Sequence, residues 1–385
     1  MTDNKRQGPL AGVRIVEMAG IGSGPVTTML LADMGATVIR VDRKTPSGLG
    51  APRPWALDLV ARGRNAIRVD LKDKAGVDLV LRLIDRADAL IEGFRPGVME
   101  RMGLGPEVCL KRNPRLVFGR VTGWGQDGPL RDVVGHDNSY TAVNGLLSAI
   151  GRAGSPPLSP LGMIGDYAGG SLSMAYGLMA ALYEARRSGL GQVVDASVMD
   201  GVATLMTNYV GLRQAGVVSA ERGTNLMDSG APFYDVHRCA DGGYVAVGAV
   251  SDAAYGALLT GLGLGDPALA DRARPNWPAL RQALAAAFAT RSRDDWAAHF
   301  AGSPANVTPV LTVAEAFQHP HLRERHTFVE VAGTMHAGPG PKFSRTPLAP
   351  PPAPSEPTHE NARAAIGDWL DATEVEALAA ASTFV

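Results

Sequence analysis

The chain has 385 residues, of which 45% are hydrophobic and 19% charged, a size that suits two or three domains and a composition that excludes wholesale disorder. Its formal net charge of −1 gives no overall field that attracts nucleic acid or an anionic membrane, so phosphate binding requires a local basic patch. Two scattered cysteines, no apolar leader and no apolar stretch near the roughly 20 residues of a membrane span make us expect a cytoplasmic protein without nucleic-acid or membrane partners.

The first part of the chain alternates between short apolar runs and helical patterns. An apolar run at 13–18 is followed by a glycine turn at 20–25 and a helical pattern that stops at Gly35. Further strands are predicted at 37–41, 65–71, 89–92 and 115–121, with helices at 77–84 and from Pro106. Strands that alternate with helices predict an α/β fold with a Rossmann-like parallel sheet.

The pattern changes after this alternating region. Residues 123–165 are rich in glycine and proline, a composition typical of loops, which often carry catalytic residues. A long helix is then predicted at 170–186, a strand at 193–196 and another helix from Val198.

The pattern of predicted elements changes again at residue 231. A hairpin is predicted at 233–238 and 244–250, followed by three Ala- and Leu-rich helices up to about residue 302. The proline-rich stretch 346–357 is expected to run extended over a surface. The predicted domains are a large α/β domain at 1–196, a linker at 197–229, a small α+β domain at 230–327, and a return segment at 328–385 that completes the large domain.

A basic segment spans residues 40–72. It holds eight basic and three acidic side chains, a local excess of five positive charges. Arginine guanidinium groups match phosphate oxygens bidentately, so the segment suits a ligand that carries several phosphates. The alternative is a solvated, arginine-rich face with no ligand.

The glycine turn at 20–25 resembles a dinucleotide-binding motif only superficially. Its glycines are spaced G-x-G-x-G-P, and Pro25 removes an amide where the helix should present donors to a pyrophosphate. Asp42, the acidic residue that would bind a ribose, is flanked by Arg40 and Arg43 and is expected to be paired. A structural strand-to-helix turn is therefore the favoured interpretation.

Two titratable residues stand out in the glycine-rich region. His136 lies in the segment GHDNSY at 135–140, and Asp166 lies in IGDYAGG at 164–170. Each has an ordinary structural explanation, because an Asp before a helix is often an N-cap and a loop histidine is often structural.

Several segments together resemble the family III CoA-transferases. They are PLAGVRIVE at 9–17, LLADMGA at 30–36, VIRVDR at 38–43, GFRPG at 93–97, GWGQDGP at 123–129 and GQVVD at 191–195. The resemblance covers nearly the whole chain. Within the family, GHDxxY at 135–140, GD at 165–166 and GAPFY at 230–234 resemble the α-methylacyl-CoA racemase branch.

The resemblance implies an acyl-CoA substrate, with no separate cofactor and no metal. It gives the basic segment a purpose, because CoA carries a 3′-phosphate and a pyrophosphate. The residues it assigns to CoA binding are Arg43, the backbone of Val69, Lys72, Arg95 and Arg101. It also implies a homodimer of two interlocked subunits, with residues from both at each active site.

The implied reaction is 1,1-proton transfer at the α-carbon of a 2-methylacyl thioester. Such an inversion needs one base on each face of a planar enolate and donors for the developing oxyanion. The resemblance assigns the two bases to His136 and Asp166. It assigns the oxyanion and substrate region to the backbone amide of Asp137 and to Tyr140.

One position departs from the racemase pattern. The resemblance implies a glutamate from the small domain that supports the catalytic histidine, and Ser251 stands at that position. A serine cannot support a protonated imidazole as a carboxylate does. Asp252 is an alternative, although it is one residue along.

Two other functions stay open. A CoA-transferase would use Asp166 as a nucleophile, passing through an acyl anhydride and an aspartyl-CoA thioester, although transferases of the family usually lack the GHD histidine. A protein that binds acyl-CoA without turnover is compatible with the change at Ser251.

Overall fold

In the part of the chain that the structure describes, the strands form one large and two small sheets. A computed structural model describes residues 7–45, 48 and 50–385. Its strands are β1 (Arg14–Met18), β2 (Thr37–Arg43), β3 (Arg64–Val69), β4 (Ala89–Glu92), β5 (Val117–Thr122), β6 (Val193–Ser197), β7 (Tyr234–Arg238), β8 (Tyr244–Gly248), β9 (Val307–Pro309), β10 (Phe328–Val331) and β11 (Thr334–Ala337).

The helices connect and cover these strands. They are α1 (Ser23–Asp33), α2 (Lys74–Ile84), α3 (Val98–Arg101), α4 (Pro106–Arg112), α5 (Asp137–Val143), α6 (Leu146–Ala149), α7 (Ser173–Ser188), α8 (Val198–Leu205), α9 (Thr207–Gln214), α10 (Asp252–Leu262), α11 (Trp277–Phe288), α12 (Arg293–His299), α13 (Val313–Gln318), α14 (Pro320–Glu324), α15 (His359–Gly367) and α16 (Ala372–Ala380). Among the described residues, no helix is long and apolar enough to cross a bilayer.

The chain forms two compact units. The larger comprises the described residues up to Asn144 together with Pro160–Leu205 and Pro320–Val385. The smaller comprises Gly145–Ser159 and Met206–His319. This division places 206–229 in the smaller unit and 197–205 in the larger, whereas the sequence suggested a separate linker there.

The larger unit is built on a six-stranded parallel sheet in the order β3-β2-β1-β4-β5-β6. The chain runs from β1 outward to β3, then crosses to β4 on the other side of β1. The predicted parallel α/β sheet is therefore confirmed, and its strand order changes direction between β1 and β4. Open α/β sheets bind ligands at the carboxyl ends of the strands beside such a switch point.

Two apolar layers cover the faces of this sheet. Alternate residues of a strand point to opposite faces, so neighbouring residues in β1 enter different layers: Ile15 packs with Leu31 and Leu178, and Val16 packs with Leu83 and other residues. The strands read as continuous apolar runs because both faces are covered, and each fully buried Ile or Leu contributes about 1.5–3 kcal/mol.

The long helix predicted at 170–186 begins earlier than expected. A π-helical segment, Met163–Leu172, precedes α7, which continues to Ser188. π-helical turns are wider than α-helical ones and are frequent at functional sites. Asp166 consequently lies inside the first turn of this segment, and Gly162 occupies the N-cap position that the sequence would have given to an aspartate.

The smaller unit contains the predicted hairpin, β7 and β8, in an antiparallel sheet completed by β9. The buried Asp235 of β7 forms ion pairs with Arg152, at 2.8 Å, and with Arg281. The first of these pairs ties the segment 145–159 to the sheet. Ser251 caps α10, its Oγ accepting a hydrogen bond from the amide of Ala254 at 3.2 Å.

The C-terminal part of the larger unit holds elements that the sequence did not reveal. Strands β10 and β11 form an antiparallel hairpin, and α15 and α16 pack against the apolar layer beside β3. Residues 347–357 carry neither helix nor strand, as their proline content predicts.

Candidate active site at the carboxyl edge of the parallel sheet

The turn after β1 lies at the switch point of the sheet. Gly22 precedes α1 with φ of 71°, a left-handed conformation that glycine adopts without steric cost. Ser23 begins α1 and points its hydroxyl toward the π-helical segment, where Oγ donates a 2.8 Å hydrogen bond to the carbonyl of Asp166. This edge of the sheet therefore holds the segment that carries Asp166.

Asp166 is fixed through its main chain from three sides. Its carbonyl accepts hydrogen bonds from Ser23 Oγ and from Ser171 Oγ, the latter at 3.1 Å. Its amide donates to Asp137 Oδ1 at 2.8 Å. With the backbone held in this way, the carboxylate lies against Gly22.

The Asp166 carboxyl is placed to exchange protons near neutral pH. Burial raises its pKa, the negative charge of Asp137 raises it further, and His136 lowers it, with the result a pKa of about 6. A general acid or base works best when its pKa lies near the operating pH. His136, the other candidate base, is close enough to act electrostatically on the Asp166 carboxyl.

His136 stands at the N-cap of α5. Its carbonyl accepts hydrogen bonds from the amides of Ser139, at 2.7 Å, and Tyr140, at 3.2 Å, which fixes the backbone at the helix entry. Its residue surface is exposed. Asp137, the first residue of α5, occupies a position whose amide has no acceptor within a helix. The predicted oxyanion donor is thus at a helix N-terminus, where a developing negative charge is favoured.

Tyr140 belongs to α5, and its side chain packs against the loop that precedes this helix. Its ring meets Trp124 edge to face, with centroids 4.8 Å apart, and its hydroxyl donates to the carbonyl of Gly135. A Cβ on Gly123 would lie 1.9 Å from Tyr140 Cζ, so this glycine leaves the room that the ring needs. Burial raises the pKa of Tyr140 to about 12, and the charge of Asp166 raises it too. The Tyr140 hydroxyl proton is therefore engaged in a hydrogen bond within the protein, to the backbone of the residue that precedes His136.

The residues assigned to CoA lie at or after the carboxyl ends of β2, β3 and β4, with β1 between β2 and β4 in the sheet. Arg43 ends β2 and is exposed, and Val69 ends β3 in register with it. Lys72 follows β3, Arg95 follows β4, and Arg101 ends α3; all three are exposed. These positions share the sheet edge that carries the Gly22 turn.

Fewer arginines of the basic segment are free to bind a ligand than its composition suggested. Four of its arginines are paired: Arg40 with Asp42 at 2.9 Å, Arg53 with Asp58 at 2.6 Å, Arg62 with Asp33 at 2.6 Å, and Arg64 with Glu17 at 2.5 Å. The pairs of Arg62 and Arg64 are buried and so serve the fold. The pairing expected for Asp42 is confirmed, which removes its carboxylate from a dinucleotide role.

A buried ion-pair network supports the turn that carries Arg95. Arg120 Nε donates to Glu92 Oε1 at 2.9 Å, and the same guanidinium contacts Glu100 at 2.8 Å. Glu92 Oε2 in turn accepts the amide of Phe94 at 2.7 Å. These contacts stabilise the turn after β4, through which the chain continues to Arg95.

Comparison with known proteins agrees with this geometry. The family model for CoA-transferase family III matches residues 10–361. The α-methylacyl-CoA racemases of Mus musculus and Homo sapiens are 42% and 39% identical over 343 residues, covering 89% of this chain and 88% of each of theirs. The crystal structure of a CAIB/BAIF family protein from Brucella suis superposes with a TM-score of 0.82 at 26% identity, over 95% of this chain and 100% of that one. Because the family model matches most of its length and two relatives are about 40% identical over 89% of it, the chain belongs to CoA-transferase family III.

Proposed function

We propose that this chain is an isomerase that racemises 2-methylacyl-CoA thioesters by 1,1-proton transfer. The observation that carries the proposal is Asp166, a half-buried carboxyl with a pKa of about 6 within electrostatic reach of His136. Inversion at an α-carbon requires two such groups, one that removes a proton and one that returns a proton to the other face. Similarity to two mammalian α-methylacyl-CoA racemases at about 40% identity supports the same reaction.

In the proposed mechanism the two bases act on opposite faces of the substrate. His136 removes the α-proton, and the electron pair of the C–H bond moves into the thioester to form an enolate. Asp166 then delivers its proton to the other face, which inverts the centre. The reverse reaction starts from imidazolium and carboxylate. The amide of Asp137 stabilises the enolate oxygen.

The proposed substrate is held by its nucleotide end. Arg43 and the backbone of Val69 bind the adenine side, while Lys72, Arg95 and Arg101 provide positive charge for the phosphates. The thioester itself acidifies the α-proton, so the reaction needs no cofactor and no metal. We also propose the interlocked homodimer as the active form.

The competing transferase reaction uses these residues differently. Asp166 would attack the thioester carbonyl as an ionised nucleophile, and His136 would have no part as a base. A pKa of about 6 leaves most of the Asp166 carboxyl ionised near neutral pH, so this value alone is compatible with either reaction. The similarity to two α-methylacyl-CoA racemases supports proton transfer.

Proton NMR in D2O separates the possibilities in one experiment. A single enantiomer of a 2-methylacyl-CoA is incubated with and without a free carboxylic acid acceptor. A racemase exchanges the α-proton for deuterium and loses enantiomeric purity without the acceptor, a transferase moves CoA only when the acceptor is present, and a binder does neither. We expect the first outcome, and we expect His136→Ala and Asp166→Ala each to abolish racemisation while CoA binding is retained.

A further inference from the structure

The side chain of Asp137 joins α5 to the π-helical segment. Its Oδ1 accepts the amide proton of Asp166 at 2.8 Å. A Cβ on Gly165 would lie 2.0 Å from the same oxygen, so the carboxylate occupies the space that a side chain at 165 would need. The Asp137 carbonyl is itself held by Thr141 Oγ1 at 2.9 Å within α5. The carboxylate is therefore seated between two backbone segments.

This arrangement brings the carboxyl groups of Asp137 and Asp166 close enough to interact electrostatically. Like charges at close range disfavour ionisation of both groups, which raises the proton affinity of one of them. The titratable groups that face Asp166 are Asp137, His136 and Tyr140, all from α5 or its N-cap. From α1 the neighbours are Gly22 and Ser23, which carry no charge.

We propose that Asp137 is a positioning residue whose carboxylate fixes the main chain of Asp166 and places a negative charge near its carboxyl, so that Asp166 serves as proton donor for one enantiomer and proton acceptor for the other. The inference rests on the proposed racemisation and adds to it a role for the side chain of Asp137. Its backbone amide, the proposed oxyanion donor, is a separate group.

The proton balance shows why this role matters. When His136 takes the α-proton and the enolate forms, the inverted product results only if Asp166 gives its proton to the α-carbon on the opposite face, leaving imidazolium and carboxylate. An aspartate with the ordinary pKa of 3.8 would be almost fully ionised near neutral pH and would seldom have that proton to give. Burial and the Asp137 charge both raise the pKa of Asp166, so that a larger fraction of its carboxyl holds a proton near neutral pH.

Two substitutions at Asp137 separate its hydrogen bond from its charge. Asp137→Asn keeps an oxygen that can accept the Asp166 amide but removes the charge, whereas Asp137→Ala removes both. Asn138→Ala, an exposed neighbour on α5, is the matched control. The measurements are kcat/KM against pH and the titration of the Asp166 carboxyl by NMR of protein labelled with carbon-13 aspartate, assigned with Asp166→Asn.

We expect Asp137→Asn to lower the pKa of Asp166 by about one unit or more and to move the acidic limb of the kcat/KM profile to lower pH by the same amount. Asp137→Ala should lose further activity at every pH, and Asn138→Ala should match the wild type. Unchanged Asp166 titration in Asp137→Asn would overturn the inference. If the wild type shows no α-proton exchange, the proposed function fails, but the NMR titration still decides whether Asp137 tunes Asp166, even if Asp137→Ala does not fold.

Discussion

The backbone of Gly22 stands directly against the carboxylate of Asp166. A Cβ at position 22 would lie 2.9 Å from Asp166 Oδ2, and the φ of 71° is one that residues with a side chain rarely adopt. The turn that ends β1 thus sets the space in which the carboxyl sits. The glycine of this strand-to-helix turn therefore also leaves the room that the Asp166 carboxylate occupies.

Gly22→Ala should impair proton transfer while leaving the affinity for CoA nearly unchanged. The new methyl group must displace the Asp166 carboxylate, and a misplacement of about 1 Å can cost on the order of 100-fold in rate. The left-handed φ adds about 1–2 kcal/mol of strain. Gly20→Ala is the matched control, because nothing lies within 4 Å of its added Cβ and its φ is not in the left-handed region. Equal kcat values in the two variants would contradict the assigned contact.

Asp166→Asn should remove racemisation and stabilise the fold at neutral pH. The pKa of Asp166 is raised from 3.8 to about 6, so the native state binds more protons than the unfolded state between these values. Stability is therefore lost as pH rises through this window. After a discount for partial exposure, we expect the variant to gain about 1–2 kcal/mol in free energy of unfolding at pH 8.

Urea denaturation of the wild type and Asp166→Asn at pH 4 and pH 8 measures this difference. The gain should be present at pH 8 and should nearly vanish at pH 4, where the wild-type carboxyl is protonated in the native state. A variant that is less stable than the wild type at pH 8 would show that the Asp166 carboxylate is stabilised by its surroundings.

Much of the parallel sheet could be predicted because its signals are local. Each strand is an apolar run bounded by turn residues, as in 13–18, and strand and helix alternate along the chain. The three-residue β9 and the hairpin β10–β11 have no such signal. Helix α15 is also poorly marked in sequence, since it is held by packing beside β3, far away along the chain.

Resemblance in the motifs around His136 and Asp166 proposes both as the catalytic bases, and this stays a prediction. The contacts that hold Asp166 in place could not be predicted from the sequence. The hydrogen bond from Ser23 to Asp166 joins residues 143 positions apart, and nothing in a serine beside a glycine turn announces it. The composition of the basic segment likewise overstated the positive charge available to a ligand. Arg62 and Arg64 are buried in ion pairs with partners outside the segment, which its composition does not reveal.

Arg43→Ala should weaken acyl-CoA binding about ten-fold and reduce its dependence on salt. The exposed guanidinium at the end of β2 would lose a charge-assisted contact with the nucleotide, and 1.4 kcal/mol corresponds to a factor of ten. Arg115→Ala is the control, since Arg115 is also exposed but precedes β5, at the amino edge of the sheet. Calorimetry at two salt concentrations measures both effects. Equal affinities for the two variants would show that the end of β2 is only a solvated face.

Ser251 occupies the position where the resemblance implies a glutamate. Its hydroxyl caps α10 by accepting the amide of Ala254. The alternative carboxylate, Asp252, is exposed and forms an ion pair with Arg272. Arg272 also donates to the carbonyl of Val250. The Asp252 charge is therefore already paired within the smaller unit.

Ser251→Glu should raise racemisation several-fold and destabilise the protein by about 1 kcal/mol. The added carboxylate restores the group that the resemblance assigns to support of the catalytic histidine, while loss of the serine cap weakens α10. Ser251→Ala isolates the second effect, since it removes the cap and adds no charge, so it should match the stability loss without the gain in rate. Ser251→Asp keeps an acceptor at the cap and should leave stability unchanged. Rates come from deuterium exchange at the α-carbon and stabilities from thermal unfolding. A large loss of activity in Asp252→Ala, with no gain in Ser251→Glu, would show instead that Asp252 provides the supporting charge despite its pairing with Arg272.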